Sequence, residues 1–340
     1  MRYTKLGSTG LEVSELCLGT GLFGSGQRPT EVWEGCMDDE EASIELVERA
    51  IELGINFIDT ANQYSTGEAE EIVGKAISEY DRDELVVNTK VQSLMADRPN
   101  GGGLSRKHIM DQSAKSLDRL QTDFVDLYTI HLWDKTTPIR ETLSAMNSLV
   151  EDGKVRYLGA SNVEGWQLMK SQWTADVNGF EPFSNVQSEY SAIQRWEEYG
   201  VIPALEDQDL GLTPYSPLGK GFLAGAYDRD ELPAKDSRLG HGIKYGQWDA
   251  INTHENWEVF DVVSEIADEK DATPVQISLA WLLHKDAVDS AIIGPTTIPE
   301  LEECVGAVDV SLSDDDMERI EDPIDPAFDK SWGWARNDRW

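Results

Sequence analysis

Apolar runs of strand length alternate along this chain with amphipathic runs of helix length, and the alternation occurs eight times. Continuous apolar strands between helices are typical of a parallel sheet that is buried on both faces. Eight strand–helix units are the number that closes a (β/α)8 TIM barrel, an α/β fold. The expected strands are residues 15–21, 55–60, 85–90, 125–131, 155–160, 183–189, 211–215 and 290–294. The expected helices are residues 40–53, 68–80, 105–120, 138–152, 164–175, 194–208, 254–270 with 274–285, and 299–306.

The chain shows neither a linker nor an internal repeat, so we expect one barrel domain over residues 1–340. A glycine-rich turn between two short strands predicts a hairpin over residues 1–14 that caps the bottom of the barrel. Two long loops, residues 24–39 and 227–250, should lie at the opposite, C-terminal mouth, and loops of this length are usually functional or mobile. The tail at residues 325–340 carries three tryptophans, which either line a substrate pocket or fasten the C-terminus.

The charge is strongly acidic, with 64 acidic and 29 basic residues and a net charge of −35. Nucleic-acid binding needs a basic face, so a nucleic-acid partner is not expected. The acids are spread along the chain, and such surfaces resemble those of proteins from salt-accumulating halophiles. In molar salt the Debye length is about 3 Å, which screens the self-repulsion. A docking face for a cationic partner is the alternative, but the even distribution of acids defines no single patch.

Metal, disulfide and membrane features are not evident in the sequence. The three cysteines lie far apart and the five histidines show no ligand spacing, so neither a disulfide framework nor a metal site is expected. No apolar run reaches the roughly 18 residues of a membrane helix, and no secretory signal follows Met1. We therefore expect a cytoplasmic protein that is not bound to a membrane. The oligomeric state is left open.

Three successive predicted strands end on side chains that carry or steer protons. These are Asp59, Lys90 and His131, and Tyr64 follows Asp59 by five residues. The carboxyl ends of barrel strands meet at one mouth, where such barrels place their chemistry. Each residue alone has an ordinary structural explanation, such as a turn aspartate or a core histidine. Together, a carboxylate, a phenol, an ammonium and an imidazole suit proton donation to a carbonyl.

A glycine pattern at residues 19–24 fits G-x-G-x-x-G after a strand, as in dinucleotide-binding folds. That fingerprint requires a helix to open at once, but the next expected helix waits until about residue 40. We therefore interpret residues 19–24 as a flexible strand exit. A dinucleotide, if bound, binds by another route.

The motifs taken together resemble the aldo-keto reductases, and most closely the branch that includes the potassium-channel beta subunits. The resemblance covers nearly the whole chain, in the order residues 54–61, 67–74, 153–162, 215–221 and 293–303. It implies an eight-stranded barrel that binds NADP(H) without a Rossmann domain. By position, it makes Tyr64 the general acid of carbonyl reduction.

The resemblance also assigns the neighbours of Tyr64. Lys90 would lower the phenol pKa through its charge, and Asp59 would pair with Lys90 and fix its position. His131 would hydrogen-bond the carbonyl oxygen of the substrate. Trp133 and Phe23 are the expected substrate contacts, and Trp133 is either a core residue or a wall of the carbonyl pocket.

For the cofactor, the resemblance implies that Tyr215 stacks on the nicotinamide and that Lys220 meets the pyrophosphate. The expected contacts are Ser161, Asn162, Gln187, Tyr215, Ser216, Leu218, Gly219, Lys220, Gly221, Gly294, Thr296, Glu300, Glu303 and Cys304. Glu300 and Cys304 depart from the family pattern at the adenosine end. Glu300 would repel a 2′-phosphate but accept a bond from a 2′-hydroxyl, so NAD(H) is a possible cofactor beside the leading NADP(H).

The reaction that follows is reversible reduction of an aldehyde or ketone to an alcohol, on a small-molecule substrate. The physiological substrate cannot be read, because pocket walls come from loops that vary freely on this scaffold. The alternative is a nicotinamide-nucleotide-sensing regulatory subunit with weak turnover, as in the channel-associated relatives.

Overall fold

A computed structural model describes residues 1–29 and 36–326 of the chain. Its strands are β1 (Tyr3–Lys5), β2 (Glu12–Ser14), β3 (Leu16–Gly19), β4 (Phe57–Asp59), β5 (Val86–Val91), β6 (Val125–Ile130), β7 (Val155–Ser161), β8 (Phe183–Gln187), β9 (Gly211–Leu212) and β10 (Ala291–Ile293). Eight of them form one parallel sheet in the order β10-β3-β4-β5-β6-β7-β8-β9. The predicted α/β barrel, with eight parallel strands in chain order, is confirmed.

The sheet curls until its two edges meet. Asp289 N donates to Leu212 O at 3.0 Å, and Ile292 N donates to Pro214 O at 2.9 Å. These bonds join the segment around β9 to the segment around β10. The carboxyl ends of all eight strands consequently face one mouth.

Helices alternate with these strands and cover the outside of the barrel. They are α1 (Glu40–Glu52), α2 (Glu68–Ile77), α3 (Arg106–Leu120), α4 (Ile139–Glu151), α5 (Gly165–Asn178), α6 (Ile202–Gln208), α7 (Arg238–Gly242), α8 (Gln247–Ile251), α9 (His254–Lys270), α10 (Pro274–Leu283), α11 (Ile298–Val305) and α12 (Asp314–Glu321). Local capping fixes several starts. Ser105 accepts from His108 N before α3, and Thr273 forms a reciprocal capping box with Gln276 at α10.

The N-terminal hairpin pairs β1 with β2 in antiparallel register. Its side chains Leu6 and Val13 are fully buried in a cluster that also contains Phe57 and Val86, the first residues of β4 and β5. The hairpin therefore seals the amino-terminal end of the barrel, as predicted, and leaves the opposite mouth for chemistry.

Two predicted elements differ from the structure. The helix expected at 194–208 is a 3-10 turn, Trp196–Glu198, followed by the shorter α6. Gly200 and Pro203 account for the break, because glycine disfavours helix interiors and proline is tolerated only in the first turn. The strand expected at 211–215 ends at Leu212, since Pro214 cannot donate to a ladder.

The segment expected as a loop at 227–250 contains α7, α8 and a 3-10 turn between them. Its glycines suggested irregular structure, but Leu239, Trp248 and Ile251 are buried and anchor the short helices. The acidic run that starts at Asp314 forms α12, which the sequence reading did not predict. The capping box of Ser313 with Asp316 begins it.

The tail tryptophans lie outside the described residues, as do residues 30–35 of the first loop. Within the described part of the chain, none of the helices is both long and apolar enough to span a bilayer.

Candidate active site

Neighbouring strands bring the predicted proton-handling side chains to one mouth. Asp59 is the last residue of β4, Lys90 lies near the end of β5, and His131 directly follows β6. Tyr64 begins a 3-10 turn, Tyr64–Gly67, that leaves β4. The side chain of Ser65 in this turn donates to Phe23 O at 2.6 Å, which fixes the turn over the strand ends.

The buried ammonium of Lys90 makes three hydrogen bonds. Nζ donates to Asp59 Oδ2 at 2.6 Å, to Thr60 O at 2.9 Å and to Tyr64 Oη at 3.3 Å. An ammonium has three protons, so this set uses all of them. Because the Tyr64 oxygen accepts from Lys90, its own proton is left to point elsewhere. The arrangement leaves Tyr64 able to donate into the mouth.

Charge and burial act in opposite directions on this pair. Burial by itself would lower the pKa of Lys90, but Asp59, Tyr64 and their hydrogen bonds together raise it above its ordinary value of 10.5. Burial raises the pKa of Tyr64, and the charge of Lys90 offsets only part of that increase. Lys90 does lower the pKa of Tyr64, as expected, but the larger effect of burial leaves that pKa above its ordinary value. Tyr64 is therefore protonated at neutral pH.

His131 is positioned as a neutral imidazole beside Tyr64. The two ring centroids lie 5.8 Å apart in an edge-to-face arrangement. Burial, followed by the charges of Lys90 and Arg28, holds the pKa of His131 well below its ordinary value. A neutral imidazole keeps one N–H, so His131 can donate a hydrogen bond to a carbonyl oxygen without carrying charge.

Asn162 connects the catalytic and cofactor sides of the mouth. Its Nδ2 donates to His131 O at 3.0 Å and to Ser161 Oγ at 2.8 Å, and its Oδ1 accepts from Tyr215 Oη at 2.7 Å. Gln187 lies deeper, where its Nε2 donates to Asp59 Oδ1 at 2.9 Å. Four of the expected cofactor contacts, Ser161, Asn162, Gln187 and Tyr215, are thus brought together beside His131 and Asp59.

The loop after β9 contains several left-handed residues. Gly219 and Gly221 have φ of 55° and 92°, a conformation that favours glycine. Lys220 between them forms an ion pair with the carboxylate of Glu189, so its charge already faces an anion of the protein. Tyr227 Oη donates to Lys220 O at 2.8 Å and ties the loop to the following segment. Ser216 and Leu218 lie partly exposed in this loop.

At the predicted adenosine end, Glu300 turns back onto the start of α11. Its Oε2 accepts from Thr296 N at 2.7 Å and from Thr296 Oγ1 at 3.0 Å. Cys304 is buried, and that burial raises the pKa of its thiol to about 12. Gly294 is exposed, and Glu303 is half-buried in α11. The hydroxyl of Thr296, an expected cofactor contact, is therefore engaged by the Glu300 carboxylate.

The two expected substrate residues lie in different surroundings. Trp133 is half-buried and packs edge-to-face against the exposed Trp166, with centroids 6.0 Å apart. This position is compatible with a pocket wall. Phe23 is 1% exposed and belongs to the core, so in this conformation its ring has almost no surface to offer a ligand.

Several polar residues near the mouth were missed by the sequence reading. Asn88 and Thr129 are buried, and each stands two residues before Lys90 or His131 on the same face of its strand. This two-residue spacing was a signal that could have identified them. The charges of Arg28 and Arg238 also act on Tyr64. Arg28 lies in a loop and Arg238 begins the short helix α7, and no local pattern in the sequence marks either residue.

Comparison with known proteins shows the family of this chain. A model of the Aldo/keto reductase family matches residues 15–325. Versiconal hemiacetal acetate reductase of Aspergillus parasiticus is 34% identical over 345 residues, covering 96% of this chain and 98% of that protein. The uncharacterized oxidoreductase YrpG of Bacillus subtilis is 35% identical, with 95% of both chains covered. Norsolorinic acid reductase of Aspergillus flavus is 32% identical, covering 94% of this chain and 81% of that protein. A match over almost the whole barrel, with proton-handling side chains gathered at its mouth, shows that this chain is an oxidoreductase enzyme and belongs to the aldo/keto reductase family.

Proposed function

We propose that this protein reduces an aldehyde or ketone to an alcohol with a nicotinamide dinucleotide, and that Tyr64 is the general acid. The observation that carries the proposal is the bond from the Lys90 ammonium to the Tyr64 oxygen at 3.3 Å. This bond orients the phenol proton away from Lys90 and places a positive charge beside the oxygen that would become negative. General acids placed in this way typically contribute 10²–10⁴-fold to a rate.

Each of the other side chains has a defined task in this scheme. A bound dihydronicotinamide would supply a hydride to the carbonyl carbon. Tyr64 gives its proton to the carbonyl oxygen and is reprotonated from solvent. Lys90 stabilises the transient phenolate, and Asp59 balances the charge of Lys90 at 2.6 Å. His131 donates its N–H to the same carbonyl oxygen and orients it.

The residues of the mouth suit a dinucleotide. Tyr215 presents a partly exposed ring, and its hydroxyl is held by Asn162 at 2.7 Å, so the ring plane is fixed before a nicotinamide arrives. Gly219 and Gly221 allow the backbone to approach a pyrophosphate, which barrels often bind after their last two strands. NADP(H) is the cofactor that the family resemblance implies.

Glu300 supports better use of NADH than the resemblance alone would imply. Its carboxylate occupies the amide and hydroxyl of Thr296, so a 2′-phosphate would meet both a like charge and an engaged donor. We expect Glu300→Gln to tighten NADPH binding on the order of 5- to 10-fold, as loss of a nearby like charge predicts, with little change for NADH. Fluorescence titration of each nucleotide measures this. Glu302→Gln is the control, because Glu302 faces Arg49 at 2.7 Å. Equal effects on both nucleotides would show that Glu300 does not discriminate.

The substrate class is open between aliphatic, aromatic and sugar aldehydes and keto acids. The direct test is a panel of these carbonyls with NADH and NADPH, in which nucleotide oxidation and alcohol formation are both quantified. We expect one alcohol per nucleotide oxidised. Tight nucleotide binding with no turnover on any carbonyl would instead support the regulatory alternative.

A further inference from the structure

A row of polar groups crosses the barrel interior directly beneath the mouth. Asp59 on β4, Asn88 on β5 and Thr129 on β6 are each no more than 2% exposed. Barrel interiors at this depth are usually filled by branched apolar side chains. Burying polar groups there is costly unless each one is hydrogen-bonded. A buried row in which the polar groups bond to one another fixes a specific arrangement of side chains, which indicates a role beyond packing.

The bonds in this row have one direction. Asn88 Nδ2 donates to Asp59 Oδ1 at 2.7 Å, and Thr129 Oγ1 donates to Asn88 Oδ1 at 2.8 Å. An ionised carboxylate only accepts, so Asn88 must present its NH₂ group to Asp59. The amide oxygen then faces Thr129, whose hydroxyl must supply the proton. The orientation of Asn88 is therefore fixed from both ends.

The row ends at a glycine that makes room for it. Gly159 on β7 is the register partner of Thr129. A Cβ atom at Gly159 would lie 2.5 Å from Thr129 Oγ1, which is too close for both to stay in place. The absence of a side chain at position 159 thus allows the Thr129 hydroxyl to reach Asn88.

We propose that Thr129 and Asn88 are positioning residues for the reduction: Thr129 holds the Asn88 amide, and Asn88 holds the Asp59 carboxylate in line with Lys90. This inference rests on the proposed function, because Lys90 matters only if Tyr64 is the acid. Asp59 Oδ1 accepts from Asn88 and from Gln187, while Oδ2 is left for Lys90. If the hydrogen bond from Asn88 is lost, the Asp59 carboxylate can rotate relative to Lys90. The 3.3 Å contact between Lys90 and Tyr64 is the longest of the three Lys90 hydrogen bonds and therefore the first to weaken.

The test is Thr129→Val, which keeps the shape of the side chain and removes the hydroxyl. We expect kcat to fall about 10-fold with KM changed less than about 3-fold, in line with loss of one buried hydrogen bond. The basic limb of the kcat–pH profile should move to higher pH by about half to one unit, because the general acid Tyr64 loses part of the Lys90 charge that lowers its pKa. Thr129→Ser restores the hydroxyl and should restore both properties.

Two further variants separate this effect from general damage. Thr142→Val removes another buried hydroxyl, one that donates to Leu104 O at 3.1 Å far from this row, and should leave the profile unchanged. Gly159→Ala keeps every polar group of the row but displaces the Thr129 hydroxyl, and should reproduce Thr129→Val.

A measurement without turnover distinguishes failure of this inference from failure of the proposed function. The ¹H–¹⁵N signal of the buried Lys90 ammonium, assigned by its loss in Lys90→Met, should shift in Thr129→Val and Gly159→Ala but not in Thr142→Val. An unchanged signal together with an unchanged pH profile would overturn the positioning role. Failure of Thr129→Ser to rescue would overturn it as well. Absence of turnover in the unaltered enzyme would refute the proposed function instead.

Discussion

Asp59→Asn is the substitution whose effect follows most directly from the structure. The side chains of Lys90 and Asp59 are 0% and 3% exposed, and their charged atoms lie 2.6 Å apart. Asparagine has nearly the same shape as aspartate, so the main change is that a buried ammonium loses its counter-charge. Removing one partner of a buried pair typically costs about 3–5 kcal/mol of unfolding free energy.

That cost converts into a measurable shift of the melting temperature. Unfolding entropy is about 2.1 cal/mol/K per residue, which gives about 0.7 kcal/mol/K for a chain of 340 residues. The expected decrease in Tm is therefore about 4–7 °C, measured by calorimetry at pH 7. Glu302→Gln is the matched control, because it breaks an ion pair with Arg49 whose side chains are 35% and 47% exposed. Such exposed pairs contribute about 0–1 kcal/mol.

The pH dependence gives an independent check. The folded pKa of Lys90 is raised above 10.5, so the stability it contributes is fully present below that pH. This contribution is lost as the pH rises through the folded pKa. The difference in Tm between the unaltered protein and Asp59→Asn should accordingly shrink in strongly alkaline buffer. Equal Tm values for Asp59→Asn and Glu302→Gln at pH 7 would refute the buried pair.

Other features of the chain give further predictions. Gly74→Ala should lower the free energy of unfolding by about 1–3 kcal/mol, because the new Cβ would collide with the backbone oxygen of Arg119. Gly10→Ala, where the Cβ would face open space, should change it by under about 0.5 kcal/mol, and urea unfolding of both variants measures the difference. Lowering the salt from about 1 M to about 0.1 M should lower Tm, because the Debye length grows from about 3 to about 10 Å and the net charge of −35 is less screened; a Tm independent of salt would contradict the halophile-like interpretation. Cys304 should resist iodoacetamide at pH 8 in the native protein and react once the protein is unfolded, because its thiol is buried and its pKa is raised to about 12. Mass spectrometry of the peptide that contains Cys304 measures the extent of labelling in each state.

The barrel could be predicted from the sequence because its signal is repeated. Eight apolar strands, each separated from the next by a helical run, leave few alternatives, and the ends of β4, β5 and β6 then place Asp59, Lys90 and His131 together. The segment after Tyr227 was read incorrectly as a loop, because its glycines are a local signal. Its two short helices depend on burial of Leu239, Trp248 and Ile251 against the rest of the barrel, which is not visible locally.

Partners of charged side chains were the least predictable part. Lys220 was expected to be available for a pyrophosphate, but it pairs with Glu189, which comes from the end of a different strand. Likewise, the net pKa of Tyr64 depends on how much burial outweighs the charge of Lys90. Both results require distances between residues that are remote in sequence, and periodicity alone does not supply them.

The single-turnover rate of carbonyl reduction by Tyr64→Phe tests the central claim most directly. Phenylalanine keeps the ring beside His131 and removes only the hydroxyl that accepts from Lys90. We predict a rate decrease on the order of 10²–10⁴-fold, with nucleotide affinity unchanged within about 2-fold. Tyr3→Phe, which removes a hydroxyl bonded to Gly54 O at 2.8 Å in the hairpin, should keep full activity. A Tyr64→Phe enzyme that reduces the same carbonyl at the unaltered rate would contradict the assignment of Tyr64 as the general acid.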